Sequence, residues 1–301
     1  MSKINPKIDL VFKKLFGAEE NKDILMSLIN AILPINQQIS KITLKNPYNV
    51  SDYAEGKLSI LDIKAEDEQG RLFNIEMQIR GSKFYGKRAL FYWAKMFGSQ
   101  LDYALEESQD NDNTLEVGYS DLKKCIVISL MDFNFFDDKN YYRFYTLKDG
   151  KTNEQHKDLD YLDLYFIELK KYRGKLQNLK TTLERWIIFL NNANKYDNNN
   201  LPKELAEIKE IRRASQKLEA MSLDEQERRY YEAQQKFWLD QNSFMKEALE
   251  KAREEVKKQT ELESKIEMAK NAIREGFDNQ MIAKLTNLTI KQIEQLRQNK
   301  T

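Results

Sequence analysis

The chain has 301 residues, 41% hydrophobic and 32% charged, which supplies apolar material for a large core under an unusually charged surface. Its 49 basic and 48 acidic residues leave a net charge of +1, so overall charge neither demands nor excludes nucleic acid. A single cysteine, Cys125, and a single histidine, His156, rule out an internal disulfide, a multi-histidine metal site and a cysteine-built zinc site. Any hydrolytic chemistry would have to rest on carboxylates, lysines and metal ions.

The opening MSKINPKIDLVFKKLFG has no continuous apolar run, and no stretch of 18 apolar residues occurs anywhere, so neither a signal peptide nor a membrane span is expected. A cytoplasmic protein is the resulting expectation. Residues 7–34 have helical spacing, broken at Gly17 and ended by Pro34. Residues 40–46, 57–65 and 71–80 alternate like strands, and EDEQG between the last two reads as a hairpin turn. A helix over 83–107 follows, then a polar loop over 108–118. KKCIVISLM at 123–131 is a near-continuous apolar run, the pattern of a strand covered on both faces. Cys125 within it reads as a small buried hydrophobe, whereas His156 reads as a loop residue. Further alternating runs lie around Tyr141–Leu147 and Leu162–Leu169, and helical spacing returns over 175–192. Asp158, Asp160 and Asp163 are too loosely spaced for a calcium loop and read as a solvated strand entry. The asparagine-rich stretch Asn191–Pro202 reads as a hinge. Beyond it, residues 203–275 contain no glycine or proline and favour long helices. Two short helices are expected over 278–297.

The hairpin carries the chemistry. Residues two apart in a strand share a face, which puts Glu76 with Gln78, and Asp62 with Lys64. A three-residue loop of Glu68, Gln69 and Gly70 would pair Asp67 with Arg71 and set Asp62 opposite Glu76. A two-residue Gln69-Gly70 turn would shift the register by one and move Asp62 to the face of Met77. The longer loop is preferred, because it puts glycine where a left-handed residue is needed. Directly opposed carboxylates repel, and a divalent cation between them would remove that penalty. The alternative is a polar solvent face on an ordinary hairpin. Arg80, Lys83, Lys87, Arg88 and Lys95, with Tyr85 and Tyr92, follow the hairpin and suggest phosphate contacts, Arg88 foremost, although a charged outer helix face would have the same composition.

These segments resemble a known family. IDLVFKKLFG at 8–17, LDIKAEDEQGRLFNIEMQI at 61–79, DLKKCIVISLMDFNFF at 121–136 and LDLYFIELKKY at 162–172 are similar to the Rpn-type recombination-promoting nucleases, also labelled transposases, of the PD-(D/E)XK nuclease superfamily. The resemblance implies an α/β fold: a restriction-endonuclease-like core with a central mixed β-sheet flanked by helices, followed by a helical C-terminal extension. It implies a Mg²⁺-dependent DNA endonuclease, with Mn²⁺ or Ca²⁺ as other candidate ions, acting in recombination, mobile elements or phage defence. Asp62 and Glu76 would hold the metal, Asp9 would be the helix-one acid reaching it, and Gln78 would stand where the wider superfamily has a lysine. Glutamine there is what the Rpn-like branch normally shows. Lys64 would supply charge on the Asp62 face, with a solvated lysine as the plainer alternative.

The expected organisation is a nuclease-like domain over 1–195, a charged helical segment of coiled-coil character over 196–277, and a helix-turn-helix-like unit over 278–301. That last unit, with Thr289, Lys291 and Gln292 opening its second helix, suits DNA contact or oligomerisation, and a homodimer through the C-terminal helices is favoured. A non-catalytic DNA-binding or assembly protein on the same fold is the rival to an enzyme.

Overall fold

The computed structural model describes residues 4–46, 62–110, 118–197 and 199–298. They form two compact units, Met1–Gln235 and Lys236–Thr301.

The first unit opens with α1 (Asp9–Phe16) and α2 (Lys22–Ile32), separated at Gly17 as the spacing predicts. A six-stranded sheet follows, with β1 (Ile42–Leu44), β2 (Ile63–Asp67), β3 (Leu72–Gln78), β4 (Cys125–Met131), β5 (Tyr142–Thr146) and β6 (Leu162–Glu168). The strand order is β1-β2-β3-β4-β6-β5. β3, β4 and β6 run parallel, and the outer neighbours are antiparallel. β4 and β6 are buried along their whole length, as the unbroken apolar run of β4 requires for a strand covered on both sides. Residues 57–61 of the expected second strand lie outside the described residues.

Each sheet face has its own cover. On one side Ile63, Phe73, Ile75, Ile128 and Ile167 join a core that includes α1, α2 and α4 (Thr182–Asn192). On the other, Val127, Met131, Leu164 and Phe166 pack against Tyr85 and Ala89 of α3 (Tyr85–Asp110). α4 begins at residue 182, later than the apolar spacing from 175 suggests. Thr181 sets the start: its side chain accepts the Glu184 N–H, and Glu184 accepts the Thr181 N–H in return.

The buried core does not stop at the Asn191–Pro202 stretch. Leu205 of α5 (Lys203–Ala206), and Ile211, Ala214 and Leu218 of α6 (Lys209–Ala220), belong to the main core. The stretch itself includes a tight surface turn, in which Asp197 accepts the N–H groups of Asn199 and Asn200. Its polarity reflects local turn bonds within a continuing unit. α7 (Glu225–Arg274) begins in this unit, where the Tyr231 hydroxyl accepts the Asn5 N–H and Glu227 accepts from Lys14.

The second unit has a small core of Ala269, Ala272, Ile273, Ile282, Leu288 and Ile293. It contains α8 (Asn279–Thr286) and α9 (Ile290–Gln298), the two short helices expected from the sequence. Asn287, in the left-handed conformation, ends α8, and Thr289 opens α9 by accepting the Gln292 N–H. Among the described residues no helix is long and apolar enough to cross a membrane.

Candidate active site

The β2–β3 turn decides the register. Gly70 has φ of +76° and donates its N–H to the Asp67 carbonyl at 3.1 Å. Asp67 Oδ1 accepts from the N–H groups of Gln69 and Arg71, each at 2.9 Å, and Arg71 Nε meets Asp67 Oδ2 at 2.5 Å. The loop therefore has three residues, with glycine at the position that needs a left-handed backbone. Ile63 pairs with Ile75 and Lys64 with Asn74, so the same register sets Asp62 across from Glu76. Asn46 holds the entry to β2, donating to the Asp62 carbonyl at 3.0 Å and accepting the Lys64 N–H at 2.7 Å.

Glu76 lies near the C-terminal end of β3, where parallel sheets present their ligands. It is 4% exposed. Asn74 Nδ2 donates to its Oε1 at 2.9 Å, and Gln78 Nε2 donates to its Oε2 at 3.1 Å. The Tyr85 hydroxyl stands 3.5 Å from Oε2, and Arg88 Nη2 stands 3.7 Å from it. Burial raises the Glu76 carboxyl above its ordinary range; Arg88 opposes that shift and the Asp62 charge adds to it. Asp9, at the first turn of α1, is pushed up to about 6, chiefly by burial, with Arg80 and Arg88 opposing and Glu76 adding. Its Oδ1 has no hydrogen-bond partner.

Two opposed carboxylates and Asp9 outnumber Arg80 and Arg88, the described cations that oppose the raised pKa values of Glu76 and Asp9, which suits a hard divalent cation. Among the described residues, no three Asp, Glu, His or Cys side chains come together as a ready cage for an ion. The donor set fits an ion that takes one or two carboxylates and completes its shell with water and phosphate oxygens, as Mg²⁺ does.

The basic residues divide. Arg88 faces the centre, with Nη1 3.5 Å from Gln78 Oε1 and its guanidinium over the Tyr92 ring at 5.2 Å. Arg80 donates to Gln234 Oε1 at 3.2 Å. Lys83 and Lys87 flank the exposed Phe84 ring on the outer side of α3. Lys64 is exposed on the Asn74 side of the hairpin. Tyr85 corrects the expectation of a DNA-facing ring. It is 2% exposed, edge-on to Phe133, Phe135 and Phe166, and its phenol is held well above its ordinary range by burial and by Glu76. Its place on the buried side of an amphipathic helix, with a hydroxyl turned to the carboxylate, makes it a wall of the site.

Several further residues border the centre. Tyr230, from the start of α7, is pushed up to about 12 by burial and by the nearby Asp9 charge. Asp132 follows β4, donates its N–H to the Gln78 carbonyl at 2.8 Å, and pairs with Lys7 at 2.8 Å and Lys170 at 3.6 Å. Asn74 was legible, since it shares the Glu76 face by period two. Tyr230 and Lys170 carry no local signal, because they arrive from distant parts of the chain.

A family model described as "PD-(D/E)XK nuclease family transposase" matches residues 6–248. The chain belongs to this family. The match runs past the asparagine-rich stretch and into α7, in keeping with the extent of the first unit. The mixed sheet with helices on both faces is the restriction-endonuclease-like architecture that the family resemblance implies. No curated protein and no solved structure matches the chain. Membership supports a nuclease- or transposase-related role for the first unit.

Proposed function

We propose that the protein is a divalent-metal-dependent DNA endonuclease that hydrolyses phosphodiester bonds, with Mg²⁺ as the working ion. The observation that carries this reading is the strand register that opposes Asp62 to the buried Glu76, with Asp9 close enough to sense the Glu76 charge. Asp62 and Glu76 would hold the ion, and Asp9 would assist directly or through water. When bound, the ion supplies a Lewis acid for the phosphate and lowers the pKa of a water. Gln78 would orient the attacking water: its amide is already held between Glu76 and Arg88. Arg88, with a side chain about half exposed, has five donors and would steady the scissile phosphate. Tyr85 and Asn74 would fix the Glu76 carboxylate. Work in recombination, mobile elements or phage defence is part of the proposal; the family's description as a transposase supports the link to mobile elements.

A dimer through the C-terminal helices is also proposed. Met245, Leu249 and Val256 of α7 are exposed at spacings of four and seven, which suits a seam between two helices.

Supercoiled plasmid incubated with Mg²⁺, Mn²⁺, Ca²⁺ or EDTA tests the nuclease reading. Wild type should nick it only with a divalent ion, and Asp62→Asn and Glu76→Gln should not. Equal cutting by wild type and both variants would sink the assignment. A non-catalytic binding protein would instead bind DNA without cutting it and would show no stabilisation by Mg²⁺.

A further inference from the structure

The outward face of α3 is the other unusual surface of the first unit. Phe84 and Phe91 are 56% and 63% exposed. Phe84 immediately precedes α3, its carbonyl accepting the Arg88 N–H at 3.1 Å; Lys87, which stands over its ring, and Phe91 are four apart on the helix and share one face. Lys83 and Lys87 stand over the Phe84 ring at 5.1 and 5.8 Å. Lys95 is exposed one turn beyond Phe91. Between Met77 and Leu101 the chain carries Arg80, Lys83, Lys87, Arg88 and Lys95, and no Asp or Glu. This face borders the candidate centre, because Arg88 of the same helix reaches Glu76.

Exposed aromatic rings among cations, with no acid in the same stretch of chain, match a polyanion that also offers flat apolar surfaces. Unpaired nucleotides are that ligand: phosphates meet the lysines and free base faces stack on the rings. Duplex DNA supplies the phosphates but keeps its base faces stacked inside, so the rings would gain little from it. A second copy of this chain is disfavoured, because a two-fold contact through this face would set like charges against each other.

We propose that Phe84 and Phe91 form a base-stacking platform that seats single-stranded or locally unpaired DNA beside the Asp62–Glu76 centre. The proposal rests on the nuclease reading for its purpose, but its test does not require cleavage. Binding of the full-length protein to a labelled oligothymidine and to a duplex of equal length is followed by fluorescence anisotropy in EDTA. Wild type should prefer the single strand. Phe84→Leu/Phe91→Leu keeps the apolar bulk without the aromatic face, and should weaken single-strand binding roughly tenfold or more while changing duplex binding far less. Phe84→Tyr/Phe91→Tyr should bind as wild type does, which excludes general damage to the fold as the cause. Equal losses on both forms of DNA, no loss on either, or a wild type without single-strand preference would overturn the platform. A Glu76→Gln protein that cuts as wild type does would sink the nuclease reading and leave this binding contrast standing.

Discussion

Asp67, Asp163 and Glu168 are buried as deeply as Glu76, but the two groups are treated differently. Asp67 has Arg71 at 2.5 Å, Asp163 has Lys124 at 2.7 Å, and Glu168 has Lys171 at 2.7 Å while also accepting the N–H groups of Phe135 and Phe136. Each of these carboxylates has a cation within 2.7 Å and fastens a turn, a strand end or a loop, although Lys124 also pairs with Asp160 and burial still raises the Asp163 carboxyl above its ordinary range. Glu76 instead faces the acid Asp62 and is held by two amides, with Arg88, on a half-exposed side chain, at 3.7 Å as the cation that pairs with it among the described residues. Paired buried charges hold the fold, and an acid pair left short of cations leaves room for a ligand.

The contrast can be broken most severely on the structural side. Lys124→Met should strand Asp163 in the core and cost about 3–5 kcal/mol in urea unfolding, and Lys124→Met/Asp163→Asn should recover much of the loss. Glu76→Gln should do the reverse: plasmid nicking should fall by about a hundredfold to a thousandfold, while stability in EDTA holds or rises. A Glu76→Gln protein as unstable as Lys124→Met would place Glu76 among the structural carboxylates.

Asp9 sharpens the comparison through pH. Its folded-state pKa of about 6 lies above the ordinary value of 3.8, so between those values the folded protein keeps a proton that the unfolded chain has lost, and above them the buried charge weighs on the fold. The stability associated with it is complete below the unfolded value and is lost as pH rises through about 6. Asp9→Asn should therefore stabilise the metal-free protein at neutral pH by about 1–3 kcal/mol, with the gain vanishing at acidic pH in a series of urea melts. The smallest expected effect is metal stabilisation: Mg²⁺ at several times its dissociation constant should add about 1 kcal/mol, a few degrees in Tm. Glu76→Gln should abolish that shift.

Much of this was legible in the residues. Period-two alternation marked the strands, and the preference for a three-residue loop ending at Gly70, over the two-residue turn, set Asp62 opposite Glu76, as the register has it. The unbroken apolar run of β4 announced a central strand. Other features were hidden because they depend on tertiary approach. The Asn191–Pro202 stretch has the composition of a linker, yet Leu205 and Ile211 beyond it return to the core. Tyr85 has the composition of a surface ring, yet its neighbours Phe133, Phe135 and Phe166 come from elements much later in the chain and enclose it. Tyr230 reaches Asp9 from more than two hundred positions away, a separation over which no local pattern speaks.

The left-handed Gly70 has a consequence for how this chain can vary over generations. Side chains on β2 can be exchanged one at a time with graded effects, but loop length cannot. Deleting one residue between Asp67 and Arg71 would exchange the inner and outer faces of one strand relative to the other in a single event. Point mutation can tune the hairpin, while a one-residue deletion would erase it, so related chains that kept their chemistry should vary at Glu68 and Gln69 and agree in the glycine and in the loop's length.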